Sequence, residues 1–240
     1  MKDSGVVVFS GGMDSTVLLK AIDLEDNVAS ILTFDYGQKH MKEIDSAIKV
    51  VSKLGLTDLH HIVDLTSITG LISSGALTGK VDVPHAMYDE ETQKQTIVPN
   101  RNMIMLSIAA GHAISIGAKV VYYAAHAGDH EIYPDCRPSF VHSMNATLKI
   151  ANEWESIGLC APFVKMDKIA VAKFGMDIGA PLELTWSCYE GGDRPCLKCG
   201  TCLERTEAFY RSGLVDSALS EDEWEEAKKE FFKANQERHV

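Results

Sequence analysis

The chain has 240 residues, 45% of them apolar, and a formal net charge of −11 at pH 7. That length suffices for one large or two small domains with a substantial core, and the apolar share is ordinary for a soluble globular enzyme. The acidic balance argues against a broad tRNA or DNA footprint. No apolar run reaches the length needed to cross a bilayer, so the expectation is a cytoplasmic protein with no signal peptide and no membrane anchor.

Val6-Val7-Val8-Phe9 reads as a buried strand, and Thr16-Val17-Leu18-Leu19-Lys20 reads as the start of a helix. Between them stands Ser10-Gly11-Gly12-Met13-Asp14-Ser15. A strand, a glycine turn and a helix point backbone N–H groups at an anion. Adjacent glycines let the backbone approach phosphate closely, and Ser10 and Ser15 add hydroxyl donors. The run lacks the Gly-Lys-Ser/Thr ending of a Walker loop. The plainer alternative is a helix capped by Asp14 and Ser15.

Val28 to Thr33 reads as a second strand, and Lys42 to Leu54 as a helix with Ile44, Ala47, Ile48 and Val51 on one face. His61-Ile62-Val63 reads as a short third strand. The stretch from Thr66 to Pro99 is weakly periodic and holds Gly70, Gly75, Gly79 and Pro84; a connection this long is usually a lid or a disordered segment. Arg101 to Ile116 reads as a mostly apolar helix with Met103 and Met105 in the core, and Lys119 to Ala124 as a fourth strand. Repeated βα units predict an α/β fold, a doubly wound parallel sheet with its sites at the carboxyl ends of the strands. After about Pro181 the pattern changes to a cysteine-rich loop and two helical stretches, which divides the chain into 1–180 and 181–240. The acidic run from Glu221 to Glu226 reads as a solvated helix face, partly compensated by Lys228, Lys229 and Lys233.

Cys188, Cys196, Cys199 and Cys202 stand as C-x7-C-x2-C-x2-C. Such spacing in a chain with no secretory signal favours a metal over disulfides. Four thiolates suit tetrahedral Zn²⁺ and leave no open position, which predicts a structural metal. An iron–sulfur cluster, or a redox pair with two unrelated cysteines, are the alternatives. Cys160 reads as a buried structural thiol, while Cys136 stands in a polar loop where a nucleophilic role is conceivable.

SGGMDS resembles the SGGxDS signature of the PP-loop ATP pyrophosphatases, whose loop holds the pyrophosphate released when a substrate is adenylated. Two further runs, Val98-Pro99-Asn100-Arg101-Asn102 and Tyr133-Pro134-Asp135-Cys136-Arg137, accompany it and the cysteine cluster. Together they resemble the QueC family of 7-cyano-7-deazaguanine synthases, from Val6 to about Gly213. The resemblance implies a PP-loop α/β core with a small C-terminal zinc-binding helical subregion. It implies an ATP-dependent ligase that converts 7-carboxy-7-deazaguanine and ammonia to the nitrile, in queuosine or archaeosine biosynthesis. It also implies ATP, catalytic Mg²⁺, structural Zn²⁺ and a homodimer, with Phe231 and Phe232 offered to a subunit contact.

The resemblance assigns roles by position. Phe9, Ser10, Gly11, Gly12, Met13, Asp14, Ser15 and Thr16 form the ATP-phosphate and Mg²⁺ cradle. Phe34, Tyr36 and Gln38 follow the second strand, where relatives place adenine and ribose. Ser10, Asp14, Ser15, Arg101 and Lys168 make up the catalytic set. Arg101, Asp129, Tyr133, Asp135 and Arg137 face the substrate: Asp135 accepting from a guanine-like N–H and amino edge, Arg137 or Arg101 meeting its carboxylate, and Tyr133 or Phe140 stacking on the ring. Lys168 follows Pro162 and opens a helix near the phosphates. The chain departs from the family pattern at Asn100, where a glycine is usual, and over Gly128-Asp129-His130-Glu131-Ile132, where Ile132 replaces a glycine.

His126 and His130 read as surface loop residues; one of them is a candidate proton carrier for ammonia. Three other functions compete. One is a QueC-like paralogue that stops at the amide or uses another acceptor. Another is a PP-loop transferase that modifies tRNA, which needs a basic surface. The third is a nucleotide-gated zinc module without chemistry.

Overall fold

The structure is a computed structural model that describes residues 4–38, 41–72, 77, 82–85, 96–129, 133–155 and 157–237. The strands are β1 (Gly5–Val8), β2 (Val28–Asp35), β3 (His60–Asp64), β4 (Val120–Tyr122) and β5 (Gly158–Cys160). They form one parallel sheet in the order β3-β2-β1-β4-β5. Val7 pairs with Ile31 on one side and Tyr122 on the other, so β1 is central. Its unbroken valine run suits a strand covered on both faces. The chain order reverses across β1, and a crevice opens at such a switch point beyond the strand ends.

The helices are α1 (Met13–Asp23), α2 (Lys42–Leu54), α3 (Thr66–Ile72), α4 (Arg101–Ser115), α5 (Pro138–Ala151), α6 (Lys168–Asp177), α7 (Gly200–Arg211) and α8 (Glu221–Glu237). Alternation along the strands sends Val7 and Ile31 to one face, Val6 and Leu32 to the other. On the Val7 face pack Val17 and Leu18 of α1, Val50 of α2, Val171 of α6, Phe209 of α7 and Ala227 of α8. On the Val6 face pack Leu106 and Ala109 of α4 and Leu148 of α5. Residues from before and after position 181 therefore share one core.

Several expectations change in detail. β2 runs on to Asp35, and the fourth strand is shorter than Lys119–Ala124. Ile48 is 46% exposed, whereas Val50 is fully buried beside Ile44, Ala47 and Val51. The helix is turned so that Ala47 rather than Ile48 faces the loop after β1. Met103 is exposed while Met105 is buried, so only the latter belongs to the core. Phe231 is buried inside its own chain against Tyr210, and only Phe232 remains partly exposed. No helix among the described residues is long and apolar enough to cross a membrane.

An internal ion pair locks the C-terminal segment. Arg205 of α7 donates to Asp216 Oδ1 (2.8 Å), to Thr185 Oγ1 (2.8 Å) and to the Leu182 carbonyl (3.3 Å). Both charges are buried, and these bonds satisfy them where an unpaired charge would be costly.

Gly11 is the tightest backbone contact beside the crevice. Its φ of +80° is a left-handed value, and a Cβ there would lie 2.3 Å from the Glu43 carbonyl oxygen and 2.6 Å from the Ala47 nitrogen. Both obstacles are backbone atoms of α2, so the helix itself would have to move. Gly11→Ala should cost about 2 kcal/mol or more, read as a lowered urea midpoint; an unchanged midpoint would contradict this packing.

Candidate active site

The loop after β1 is organised by its own serines. The Gly12 N–H donates to Ser10 Oγ (3.2 Å), and the Ser10 N–H donates to Ser15 Oγ (3.3 Å). The Ser15 hydroxyl donates to the Gly12 carbonyl (3.1 Å). Gly12 is the N-cap of α1 and no side chain caps the helix, so Asp14 and Ser15 are not caps. The first-turn N–H groups therefore have no side-chain acceptor from the cap, the condition under which a helix start receives an anion.

Asp14 is the electrostatic centre of the crevice. Its Oδ2 lies 3.7 Å from Lys168 Nζ and 3.6 Å from His126 Nε2. Lys168 Nζ in turn lies 3.1 Å from Glu204 Oε2 of α7. Burial raises the Asp14 carboxyl pKa, but Lys168 and His126, with Arg205 behind them, pull it well below the usual carboxylate range. Asp14 is thus an anion at any working pH. Its Oδ1 is buried with no hydrogen-bond partner among the described residues. A charged carboxylate oxygen without a hydrogen-bond partner, beside a helix start whose cap makes no side-chain bond, fits Mg²⁺ shared with a phosphate. His126, expected on the surface, is only 2% exposed.

Lys168 opens α6, whose N-cap Asp167 accepts a bond from the Ala170 N–H (2.7 Å). Arg101 opens α4 directly after Asn100, which holds a left-handed conformation (φ 56°, ψ 14°). That conformation explains the departure from glycine: asparagine is among the few other residues that adopt it readily. Arg101 donates to Tyr36 Oη (3.4 Å) and its guanidinium lies 5.6 Å from that ring's centroid. Burial lowers the Arg101 pKa, but Tyr36, Tyr189, Tyr133 and Asp135 outweigh it and raise the group. Burial pushes Tyr36 up to about 12 against the pull of Arg101.

These groups line one cavity of about 250 Å³ at the carboxyl ends of β1, β2 and β4. Phe9, Ser10, Gly12, Met13, Asp14, Ser15, Phe34, Tyr36, Gln38, Arg101, Tyr133 and Lys168 all face it. Gly11 supports the loop from behind, and Thr16 is buried in α1. Asp135 and Arg137 are not among the lining residues: the Asp135 carbonyl accepts a bond from Tyr123 Oη (3.3 Å), and Arg137 is exposed as the N-cap of α5. Phe140 packs against the Val6-side core. Asp129 closes a short turn, Ala127–Asp129, while His130 and Ile132 lie outside the described residues.

The fold adds lining residues that sequence reasoning passed over. Glu43 stands in the first turn of α2, soon after Gln38. Asn102 and Cys136 face the cavity together, with Asn102 Nδ2 donating to Cys136 Sγ (3.7 Å). Cys136 is buried in the turn Pro134–Cys136 rather than set in an open polar loop. Trp186, Ser187, Tyr189, Thr201 and Glu204 come from the cysteine-rich region. The available signal was their interleaving with the cysteines.

The four cysteine sulfurs lie within 4.8 Å of one another. A tetrahedral ion with metal–sulfur bonds of about 2.3 Å needs sulfurs about 3.8 Å apart, so the cluster fits such an ion. Backbone N–H groups already point at the sulfurs: Cys196 N to Cys188 Sγ and Cys199 N to Cys196 Sγ, both 3.3 Å. Hydrogen bonding among the sulfurs drives Cys199 far below the thiol range and raises Cys202, since four adjacent thiols cannot all ionise without a cation. The cluster is also tied to the cavity wall. Trp186 Nε1 donates to the Cys188 carbonyl (2.7 Å), and Thr201 Oγ1 donates to the Ser187 carbonyl (2.7 Å).

Comparison with known proteins agrees with this geometry. The family described as "Queuosine biosynthesis protein QueC" matches residues 4–213. A protein of Archaeoglobus fulgidus named 7-cyano-7-deazaguanine synthase is 54% identical over 93% of this chain and 93% of its own. Proteins of the same name from Alteromonas mediterranea and Marinobacter nauticus are 49% and 45% identical, each over 90% of this chain and over 98% and 96% of their own.

Asp14→Ala should abolish ATP-dependent AMP formation while leaving circular dichroism and metal content unchanged. Unchanged AMP formation would separate this loop from phosphate chemistry.

Proposed function

The chain belongs to the QueC family, and from that premise we propose that it converts 7-carboxy-7-deazaguanine and ammonia to 7-cyano-7-deazaguanine using ATP. The observation that carries the reading is a single cavity holding both a phosphate loop at the sheet's switch point and an arginine among tyrosines. The same reading takes the protein as a cytoplasmic homodimer acting on a small molecule.

A carboxylate is a poor electrophile, and transfer of AMP to its oxygen makes that oxygen a leaving group. Pyrophosphate departs as the acyl–oxygen–phosphorus link forms. Ammonia attacks the acyl carbon, AMP leaves and a proton is lost, which gives the amide. A second adenylation on the amide oxygen, again releasing pyrophosphate, lets AMP depart with loss of the nitrogen protons. The carbon–nitrogen triple bond is what remains.

In this reading the loop from Ser10 to Ser15 and the start of α1 hold the leaving pyrophosphate. Asp14 would hold Mg²⁺ through its unpartnered Oδ1, and the ion would neutralise phosphate charge. Lys168, held between Asp14 and Glu204, stands ready to meet negative charge as the phosphorus–oxygen bond breaks. Arg101 pairs with the substrate carboxylate, and Tyr36, Tyr133 and Tyr189 give the flat bicycle apolar walls. Cys188, Cys196, Cys199 and Cys202 would hold Zn²⁺, which would fix the Trp186–Ser187 wall and the start of α7 without touching substrate.

Mass spectrometry of protein, 7-carboxy-7-deazaguanine, ATP, Mg²⁺ and an ammonium salt should show the nitrile. Amide without nitrile would indicate a paralogue that stops halfway, and no product would redirect the search to another acid. Cys199→Ser should lose zinc by elemental analysis and lower the melting temperature, because metal binding is coupled to folding. Wild-type protein free of zinc would overturn the metal assignment.

A further inference from the structure

One half-buried acid in the cavity wall has no part in the scheme above. Glu43 lies on the first turn of α2 and lines the cavity with Tyr36, Arg101 and Tyr133. Among the described residues its carboxylate makes no hydrogen bond and no ion pair. Arg101 therefore stands close enough to influence it without neutralising it. Burial raises the Glu43 pKa and Arg101 opposes the rise. A partly desolvated carboxylate without a local donor gains from a ligand that supplies donors.

The chemistry of the group narrows the ligand. An ionised carboxylate only accepts hydrogen bonds, and it accepts two in parallel. Its complement is a pair of adjacent N–H donors. A guanine-type ring presents such a pair at N1–H and the 2-amino group. The adenine edge of ATP sets a donor beside an acceptor, a poorer match. In a 7-substituted deazaguanine the substituent and the donor edge lie at opposite ends of the bicycle. The cavity likewise offers a cation and an anion that do not pair with each other, with tyrosines around them. Asp135, the acid expected for this edge, is absent from the described lining.

We propose that Glu43 is the specificity-determining acceptor for the N1–H and 2-amino edge of the deazaguanine, while Arg101 meets the 7-substituent. This rests on the function proposed above.

The test compares 7-carboxy-7-deazaguanine with its analogue lacking the 2-amino group, in wild type, Glu43→Gln and Glu43→Asp. Wild type should prefer the parent compound in kcat/KM by about tenfold or more. Glu43→Gln should raise the KM of the parent about 10–100-fold, because it puts a donor against a donor. Its KM for ATP should stay within about twofold of wild type, and its preference for the parent should vanish. Glu43→Asp keeps the acceptors and should retain part of the preference; it stands in if the Gln variant fails to fold. An unchanged parent KM, or a preference retained in Glu43→Gln, overturns the assignment. A rise confined to the KM of ATP also overturns it and moves Glu43 to the ribose. Failure of the proposed function shows itself separately, as wild type that neither binds nor converts the parent acid, and the Glu43 assignment falls with it.

Discussion

The close approach of backbone to backbone at Gly11 is the constraint on which the rest of the site depends. The space a side chain would need there is filled by the Glu43 carbonyl and the Ala47 nitrogen. The Gly11 carbonyl also accepts the Trp186 N–H at 3.1 Å. One residue therefore joins the phosphate loop, the helix that carries Glu43 and the segment that leads to Cys188. Three separate stretches of chain meet there, and each contributes to the cavity wall.

Charge in the cavity is arranged in two groups. Around Asp14 stand Lys168, Glu204 and His126, a set whose cation lies between two carboxylates. Lys168 thereby lies close to the loop after β1 without being committed to a single partner. Around Arg101 stand Tyr36, Tyr133 and Glu43, with the guanidinium 5.6 Å from the Tyr36 ring centroid. In the proposed reaction the first group would serve the phosphate end and the second the organic acid. The net acidity of the chain as a whole says little about either.

The cysteine cluster gains meaning from its position. Cys199 caps α7, the helix that delivers Thr201 and Glu204 to the cavity. Trp186 lines the cavity while holding the Cys188 carbonyl. A metal held there would act as a corner brace, ordering the turn that sets where α7 starts, and so where Glu204 meets Lys168.

Much of this was legible in the sequence because it is written in local terms. Apolar runs gave the strands, the glycine pair gave the anion loop, and the cysteine spacing gave the metal site, each from neighbours within a few residues. Helix faces were harder: Ile48 and Met103 carry the right periodicity yet point outward, since rotation about a helix axis is chosen by what packs against it. His126 looked like a loop residue and is buried, because the loop folds over Asp14. Glu43 carries no local sign of belonging with Trp186, Tyr189 and Glu204. Only tertiary structure brings residues so far apart in the chain to one cavity, because their proximity comes from sheet order and the Gly11 junction. The sequence by itself determined the family, the fold class and the two motifs, because each is written in residues close together in the chain, while the fold decided which charges face one another in the cavity.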